Sequence, residues 1–329
     1  MDKIRWGIMG LGDIAHKFCD NLWQVPDADI TACGSRTMEK AADFAKKHNI
    51  KNAFATYEEL VKCDDVDIIY IATPHGRHYE DAMLCLENGK HVLCEKAFMM
   101  NADEAKKVSE FARSKKLFLM EAMWARFFPS NQQALKWYNE GQIGHLNIIE
   151  LTFGFNTEYR PEHRFFKKEL GGGALLDIGA YSIGVNTMYT YGKKPVKIGA
   201  VSHIGESQTD EMTGMCLYYG DGQMSMITAC IRTSVNTRIM LYGTKGQIEI
   251  TNFWSGKEAT LKVFGKPDEL FRLEQTKNGY ILEVEEVHKC LRTGKLNSEI
   301  MPIEHSIYAM ETMDAVRKEI GLSYHNDIR

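Results

Sequence analysis

This chain has no excess of charge of either sign. Its 40 lysines and arginines stand against 44 aspartates and glutamates, a net charge of −4. No lysine or arginine stripe interleaved with aromatics occurs, so there is no electrostatic footprint for nucleic acid and none is expected as a partner. Apolar runs are short, none approaching the roughly 18 residues a membrane span needs. The N-terminus leads straight into a strand pattern, so neither a signal peptide nor a membrane partner is expected. The eight cysteines form no CxxC pair, and several fall inside apolar runs. That pattern speaks against a disulfide framework or zinc site and for reduced thiols in a cytoplasmic protein. His75 and His78 lack clustered acidic or thiol partners, so no metal is expected. Internal repeats and low-complexity linkers are absent as well.

What is present is an α/β chain of 329 residues, 44% of them apolar, enough for about two domains. The first stretch decides the reading. Ile4–Met9 is a short buried-strand pattern, Gly10-Leu11-Gly12-Asp13-Ile14-Ala15 follows at once, and a helix pattern begins by Lys17. Strand, glycine turn and helix start form the dinucleotide fingerprint, with Ala15 in its third small position. Gly10 permits the turn, Gly12 lets the backbone approach a pyrophosphate, and the helix N-terminus offers N–H groups to it. Further strands are expected at Ile30–Cys33, Val66–Ala72, His91–Cys94 and Leu117–Met120. Helices between them carry cap signals at Thr37, at Thr56 with Glu59, and at Asn101 with Glu104. Such alternation predicts a parallel Rossmann sheet over residues 1–122.

Beyond Trp124 the pattern changes. A helix over Ser130–Glu140, a strand over His145–Phe155, and a helix from Ala174 or Asp177 to about Tyr191 precede longer strands between Val196 and Phe264. Hairpin turns are expected at 220–222 and 243–246. Helices near Tyr280–Arg292 and Ile303–Ile320 close the chain. Residues 123–329 therefore read as an α+β domain on an open, largely antiparallel sheet, with the last helix able to return to the first domain.

Three places carry chemistry. After the second strand comes Gly34-Ser35-Arg36-Thr37, which lacks the acid of an NAD site and offers a guanidinium to a 2′-phosphate. NADP is the expected cofactor, with NAD possible; a solvated arginine at a helix start fits the same residues. At later strand ends stand Thr73-Pro74-His75, then His78, and Cys94-Glu95-Lys96. A lysine there can orient a ribose or assist an acid–base group, or simply pair with Glu95 at the surface. Third, GGGALLDIGAY over 171–181 puts Asp177 and Tyr181 four residues apart, on one face if helical. A tyrosine can take the hydroxyl proton during hydride transfer. Equally, Asp177 can cap a helix while Tyr181 packs with its hydroxyl satisfied.

GLGDIA near the start, ATPHGRHYEDAMLCLENGKHVLCEK over 72–96 and GGGALLDIGAY from Gly171 together resemble the glucose–fructose oxidoreductase/inositol dehydrogenase/MocA family along the whole chain. FLMEAMWARFFP over 118–129, with Tyr181 where histidine is commoner, looks like the subgroup of dimeric dihydrodiol and NADP-dependent D-xylose dehydrogenases. The resemblance implies hydride transfer between NADP and a secondary alcohol of a cyclic polyol, sugar or trans-dihydrodiol. It implies Lys96 and Tyr181 as catalytic residues, with Asp177 in support. Gly10, Leu11, Gly12, Asp13, Ile14, Ser35, Arg36, Thr37, Thr73, Pro74, His78, Glu95 and Lys96 would hold the cofactor, and Trp124 and Arg126 its nicotinamide end. Trp124, Phe127, Phe153, Phe155, Tyr159, Arg164 and Tyr181 would line the substrate pocket. The C-terminal sheet would form a homodimer or higher homo-oligomer. Where the family usually reads EKP, Ala97 follows Lys96, so the lysine loop must be held by contacts or sit more loosely. Related chains that bind NADP as regulators, and reduction of a carbonyl or imine, are the alternative readings.

Overall fold

The computed structural model describes residues 2–273 and 277–328. In chain order the first elements are β1 (Ile4–Met9), α1 (Asp13–Leu22), β2 (Ala28–Gly34), α2 (Met38–His48), β3 (Asn52–Phe54), α3 (Tyr57–Val61) and β4 (Ile68–Ile71). Then follow α4 (His78–Glu87), β5 (His91–Glu95), α5 (Ala102–Lys115) and β6 (Leu119–Ala122). All six strands run parallel in the order β3-β2-β1-β4-β5-β6. The strand β4 is buried along its whole length, as a parallel strand covered on both faces must be. Side-chain caps start the helices where the sequence places them: Thr37 accepts from the Lys40 amide, Thr56 from Glu59 and Asn101 from Glu104.

Next come α6 (Pro129–Asn139), β7 (Leu146–Gly154) and α7 (Ala180–Thr190), the last preceded by a π-helical turn over Leu175–Gly179. The strands β8 (Lys197–Ile204), β9 (Asp210–Tyr218), β10 (Met224–Cys230), β11 (Arg238–Gly243), β12 (Gly246–Thr251), β13 (Glu258–Val263) and β14 (Glu269–Arg272) complete an eight-stranded sheet. Its order is β14-β13-β12-β11-β7-β10-β9-β8, and only the β7–β10 pair is parallel. The helices α6 and α7 cover one face, whose inward residues such as Ile149, Leu151, Leu217, Ile227 and Leu241 are buried.

Two helices finish the chain, α8 (Gly279–Arg292) and α9 (Ile303–Glu319). The chain forms two compact units, residues 1–122 with 277–303 and residues 123–276 with 304–329. A single boundary after residue 122 therefore does not describe it. The returning helix is α8, not the last one, and its side chains explain why. His288 accepts from the Trp6 indole at 3.0 Å, Tyr280 sets its edge on Phe18, and Arg292 pairs with Asp27 at 2.7 Å. No helix among the described residues is long and apolar enough to cross a membrane.

Candidate active site

In the first unit the fingerprint turn has the geometry its glycines imply. Gly10 has φ +85°, and a Cβ there would lie 2.8 Å from Ala72 and Thr73 backbone atoms. Gly12 is the N-cap of α1, carries no side-chain cap and has open space where its Cβ would be. Backbone can thus approach a phosphate, and the helix N-terminus is uncapped by protein side chains, so the turn fits a dinucleotide. Leu11 is buried, whereas Asp13 is exposed and Ile14 half-buried.

At the end of β2, Ser35 is buried and Arg36 and Thr37 are exposed. A cleft of about 420 Å³ opens beside them, lined by Leu11, His16, Thr37, Lys40, Phe44 and Lys47 with the acids Glu39 and Asp43. His16 and Lys40 are the residues sequence reasoning missed here. Lys40 lies in the first turn of α2, whose start at Thr37 the sequence already marks, and that could have drawn attention to it.

The lysine loop is pinned from beneath. His75 Nε2 lies 3.1 Å from the Lys96 carbonyl oxygen. His78 is fully buried, with Nδ1 2.9 Å from the Ala97 carbonyl and Nε2 2.9 Å from that of Thr73. Burial pushes its imidazole pKa down, and the carbonyls at both nitrogens oppose that. His78 therefore lies between two strand-end loops, enclosed by the carbonyls of both. Glu95 is also turned inward: it accepts from the Tyr70 hydroxyl and from the Lys96 amide at 3.2 Å. The Thr73 hydroxyl donates to Asp81 at 2.7 Å, while Pro74 is exposed. The Lys96–Ala97 peptide is cis. With Phe98 N donating to Glu121 at 3.1 Å, contacts hold this loop where the expected proline is missing.

In the second unit an aromatic cluster surrounds Tyr181. The Trp124 indole donates to the Tyr181 oxygen at 2.8 Å. Phe153 lies 5.7 Å from the Tyr181 ring and stacks on Trp254 at 5.8 Å, and Trp254 in turn meets Trp124 edge-on. Trp254 was not singled out from sequence; its place in the short turn after β12 gave no periodic signal. Phe155 contacts Phe153 and Phe165, and Tyr159 packs on Phe166 beneath the Arg232 guanidinium. Asp177 sits buried in the π-turn and accepts from Arg164 at 2.8 Å, while Arg164 stays exposed and lies over the Phe165 ring.

Arg126 and Phe127 do not join this wall. Arg126 is buried, donating to the Gly184 carbonyl at 3.1 Å and Thr187 Oγ1 at 2.7 Å, with His305 Nδ1 3.1 Å away. The enclosed guanidinium is thereby bound to the backbone and a side chain of α7. Its charge and burial together push the His305 imidazole down to about 4. Phe127 is buried in the same turn, which leaves Trp124 as its half-exposed member. Among the described residues no cluster of His, Cys, Asp and Glu could hold a metal.

Comparison with known proteins gives a consistent picture. Residues 4–123 match the family model described as oxidoreductase family, NAD-binding Rossmann fold, and residues 131–249 match the GFO/IDH/MocA C-terminal domain. The trans-1,2-dihydrobenzene-1,2-diol dehydrogenase of Xenopus tropicalis is 34% identical over 97% of this chain and 99% of its own. The human enzyme of that name is 34% identical over 99% of both. Among solved structures, an aldose-aldose oxidoreductase from Caulobacter crescentus complexed with glycerol superposes with a TM-score of 0.88 at 23% identity, covering 96% of this chain and 97% of its own. A 3-ketoreductase from Actinomadura kijaniata in complex with NADP and TDP-benzene gives 0.87 at 24% identity, with 97% and 98% covered.

Proposed function

Since the chain belongs to the GFO/IDH/MocA oxidoreductase family, we propose that it is an NADP-preferring dehydrogenase acting on a secondary alcohol of a cyclic polyol, sugar or trans-dihydrodiol. The observation that carries this reading is the hydrogen bond from Trp124 to the Tyr181 oxygen inside an aromatic wall. A donor at that oxygen supports a role for Tyr181 in giving up and recovering a proton, and ring faces suit a flat or ring-shaped substrate. When bound, the nicotinamide supplies the hydride donor or acceptor.

The chain's own residues do the rest. The Gly10–Gly12 turn and the α1 N-terminus hold the pyrophosphate, and Arg36 with Lys40 meets the 2′-phosphate. Tyr181 exchanges the hydroxyl proton, Lys96 stabilises the negative charge that develops on the substrate oxygen, and Asp177, held by Arg164, orients the turn that carries Tyr181. Seven of the eight cysteines are buried or half-buried and all are free, which suits a reducing cytoplasmic setting. The uncovered face of the second sheet, with Val201, Met212, Cys216 and Met226 exposed, suits a homodimer interface.

The test pairs Lys96→Met and Tyr181→Phe with a panel of xylose, glucose, inositols and trans-dihydrobenzenediol, each with NADP and NAD. Each variant is expected to lose turnover by ~100-fold or more while NADPH binding, followed by fluorescence titration, changes little. Normal turnover in either variant removes that residue from the chemistry.

A further inference from the structure

The triglycine stretch 171–173 reads in sequence as backbone passing close to something bulky, and the structure shows what that is. A Cβ on Gly172 would lie 2.7–2.8 Å from the carbonyl oxygens of Arg164, Phe165 and Lys167. A Cβ on Gly173, where φ is +122°, would overlap Asp210 Oδ1 and lie 3.1 Å from the Tyr324 hydroxyl. The neighbours are the chain's own carboxyl and phenol.

Asp210 begins β9 and is completely buried. Its Oδ2 accepts from the Leu175 amide at 2.7 Å and from Thr213 Oγ1 at 2.8 Å. Leu175 opens the π-turn that contains Asp177 and leads into Tyr181. Its Oδ1 has no hydrogen-bond partner among the described residues and occupies the space left by the missing Gly173 side chain. From the other end of the sequence, the Tyr324 hydroxyl donates to the Gly172 carbonyl at 2.6 Å. Tyr324 lies under the Arg317 guanidinium, which is itself bound by Asp314 and Asp327.

We propose that Asp210 and Tyr324 are positioning residues that clamp the triglycine turn from opposite sides and so set the placement of Asp177 and Tyr181. This rests on the assignment of Tyr181 and Asp177 to the reaction. A carboxyl that merely filled core would not aim one oxygen at the first amide of the segment bearing the reactive side chains. A tail that merely ended the chain would not donate to that segment's backbone. The groups facing Asp210 are the Thr213 hydroxyl on β9, the Leu175 amide, the Tyr324 phenol and the Arg317 guanidinium of α9. Burial pushes the Asp210 carboxyl up to about 7, with Thr213, Leu175 and Arg317 opposing. The clamp thus changes charge near neutrality: the neutral acid keeps both bonds accepted at Oδ2, and ionisation adds a charge whose second oxygen has no donor.

Hydrogen exchange read by mass spectrometry on the full chain, with the kinetic pH profile, tests this. Asp210→Ala should expose the peptide spanning 171–181 to faster exchange and lower kcat by about tenfold to a hundredfold, the effect of losing a charge-assisted bond, with NADPH affinity unmoved. Asp210→Asn, which keeps the shape and an accepting oxygen, should restore protection, and its pH profile should lack the inflection near 7 expected of the parent. Tyr324→Phe should loosen the same peptide alone. Unchanged exchange over 171–181 in both Asp210→Ala and Tyr324→Phe overturns the proposal, as does an inflection near 7 that survives in Asp210→Asn. The exchange readout needs no turnover, so an active Tyr181→Phe would refute the catalytic reading without deciding the clamp.

Discussion

Single side chains in this protein are governed by whether their charge finds a partner. Arg36 is exposed at the end of β2, and the strand end carries no acid to repel a 2′-phosphate. A bidentate guanidinium–phosphate contact contributes ~1.5–3 kcal/mol. Arg36→Ala is therefore expected to raise KM for NADP by roughly tenfold or more while leaving KM for NAD nearly unchanged, as initial rates with both cofactors would reveal. An equal loss with both cofactors would mean the arginine supports the fold and does not select the phosphate. Glu283 on α8 shows the opposite condition. It is fully buried, and neither carboxyl oxygen has a hydrogen-bond partner among the described residues. Burial, reinforced by the charge of Glu95, pushes its pKa well above the carboxylate range. A raised folded-state pKa contributes stability below the unfolded-state value of roughly 4.3, and that contribution fades as pH climbs toward the folded one. Glu283→Gln should thus gain melting temperature relative to the parent as pH goes from 5 to 8. Parallel melting curves across that range would show that Glu283 finds a donor after all.

At the scale of elements, loops at the strand ends matter more than the strands. The loop after β5 carries Lys96, and His78 at the start of α4 ties it to the loop after β4. A neutral imidazole has one N–H, so it donates to one loop and only touches the other; the imidazolium would bond both. His78→Phe keeps the ring and loses the donated bond. It should lower kcat with little change in cofactor affinity, and stopped-flow NADPH binding beside steady-state rates would separate the two. Much of this architecture was legible in the sequence, because periodicity and caps report local physics. Thr37, Thr56 and Asn101 cap where their spacing says, and the hairpins fall at 220–222 and 243–246. Burial was not legible. His78, Arg126 and Phe127 look like surface chemistry in a motif but are enclosed by partners distant in the chain, such as Thr187 and His305. Trp254, Asp210 and Tyr324 were missed for the same reason, since each acts across long sequence separations. The three-residue β3 is too short for any pattern to register.

For the whole molecule, the second sheet poses the remaining question, because α6 and α7 pack on one face and, among the described residues, the other carries exposed apolar side chains. On the other face the cross-strand register lines up side chains from four adjacent strands. Cys216 pairs with Gly199 and Met226, and Met226 pairs with Glu150. Val201, 77% exposed, and Met212 continue the apolar surface along β8 and β9, and Ile148 extends it on β7. Alternating strands with a solvated face usually place polar groups there, so exposed valine, isoleucine and methionines point to a covered surface. A stable self-association would bury ~800 Å² per copy, an area that several strands of this sheet can supply. Because a twofold contact is isologous, a single substitution acts twice. Met226→Glu would set like charges from the two copies near each other and beside each copy's own Glu150. Light scattering coupled to size exclusion should find the parent at twice the chain mass and Met226→Glu at one chain mass, with thermal unfolding of the variant still cooperative. A parent that runs as a single chain at micromolar concentration would leave that apolar face exposed and rule out the sheet-mediated dimer.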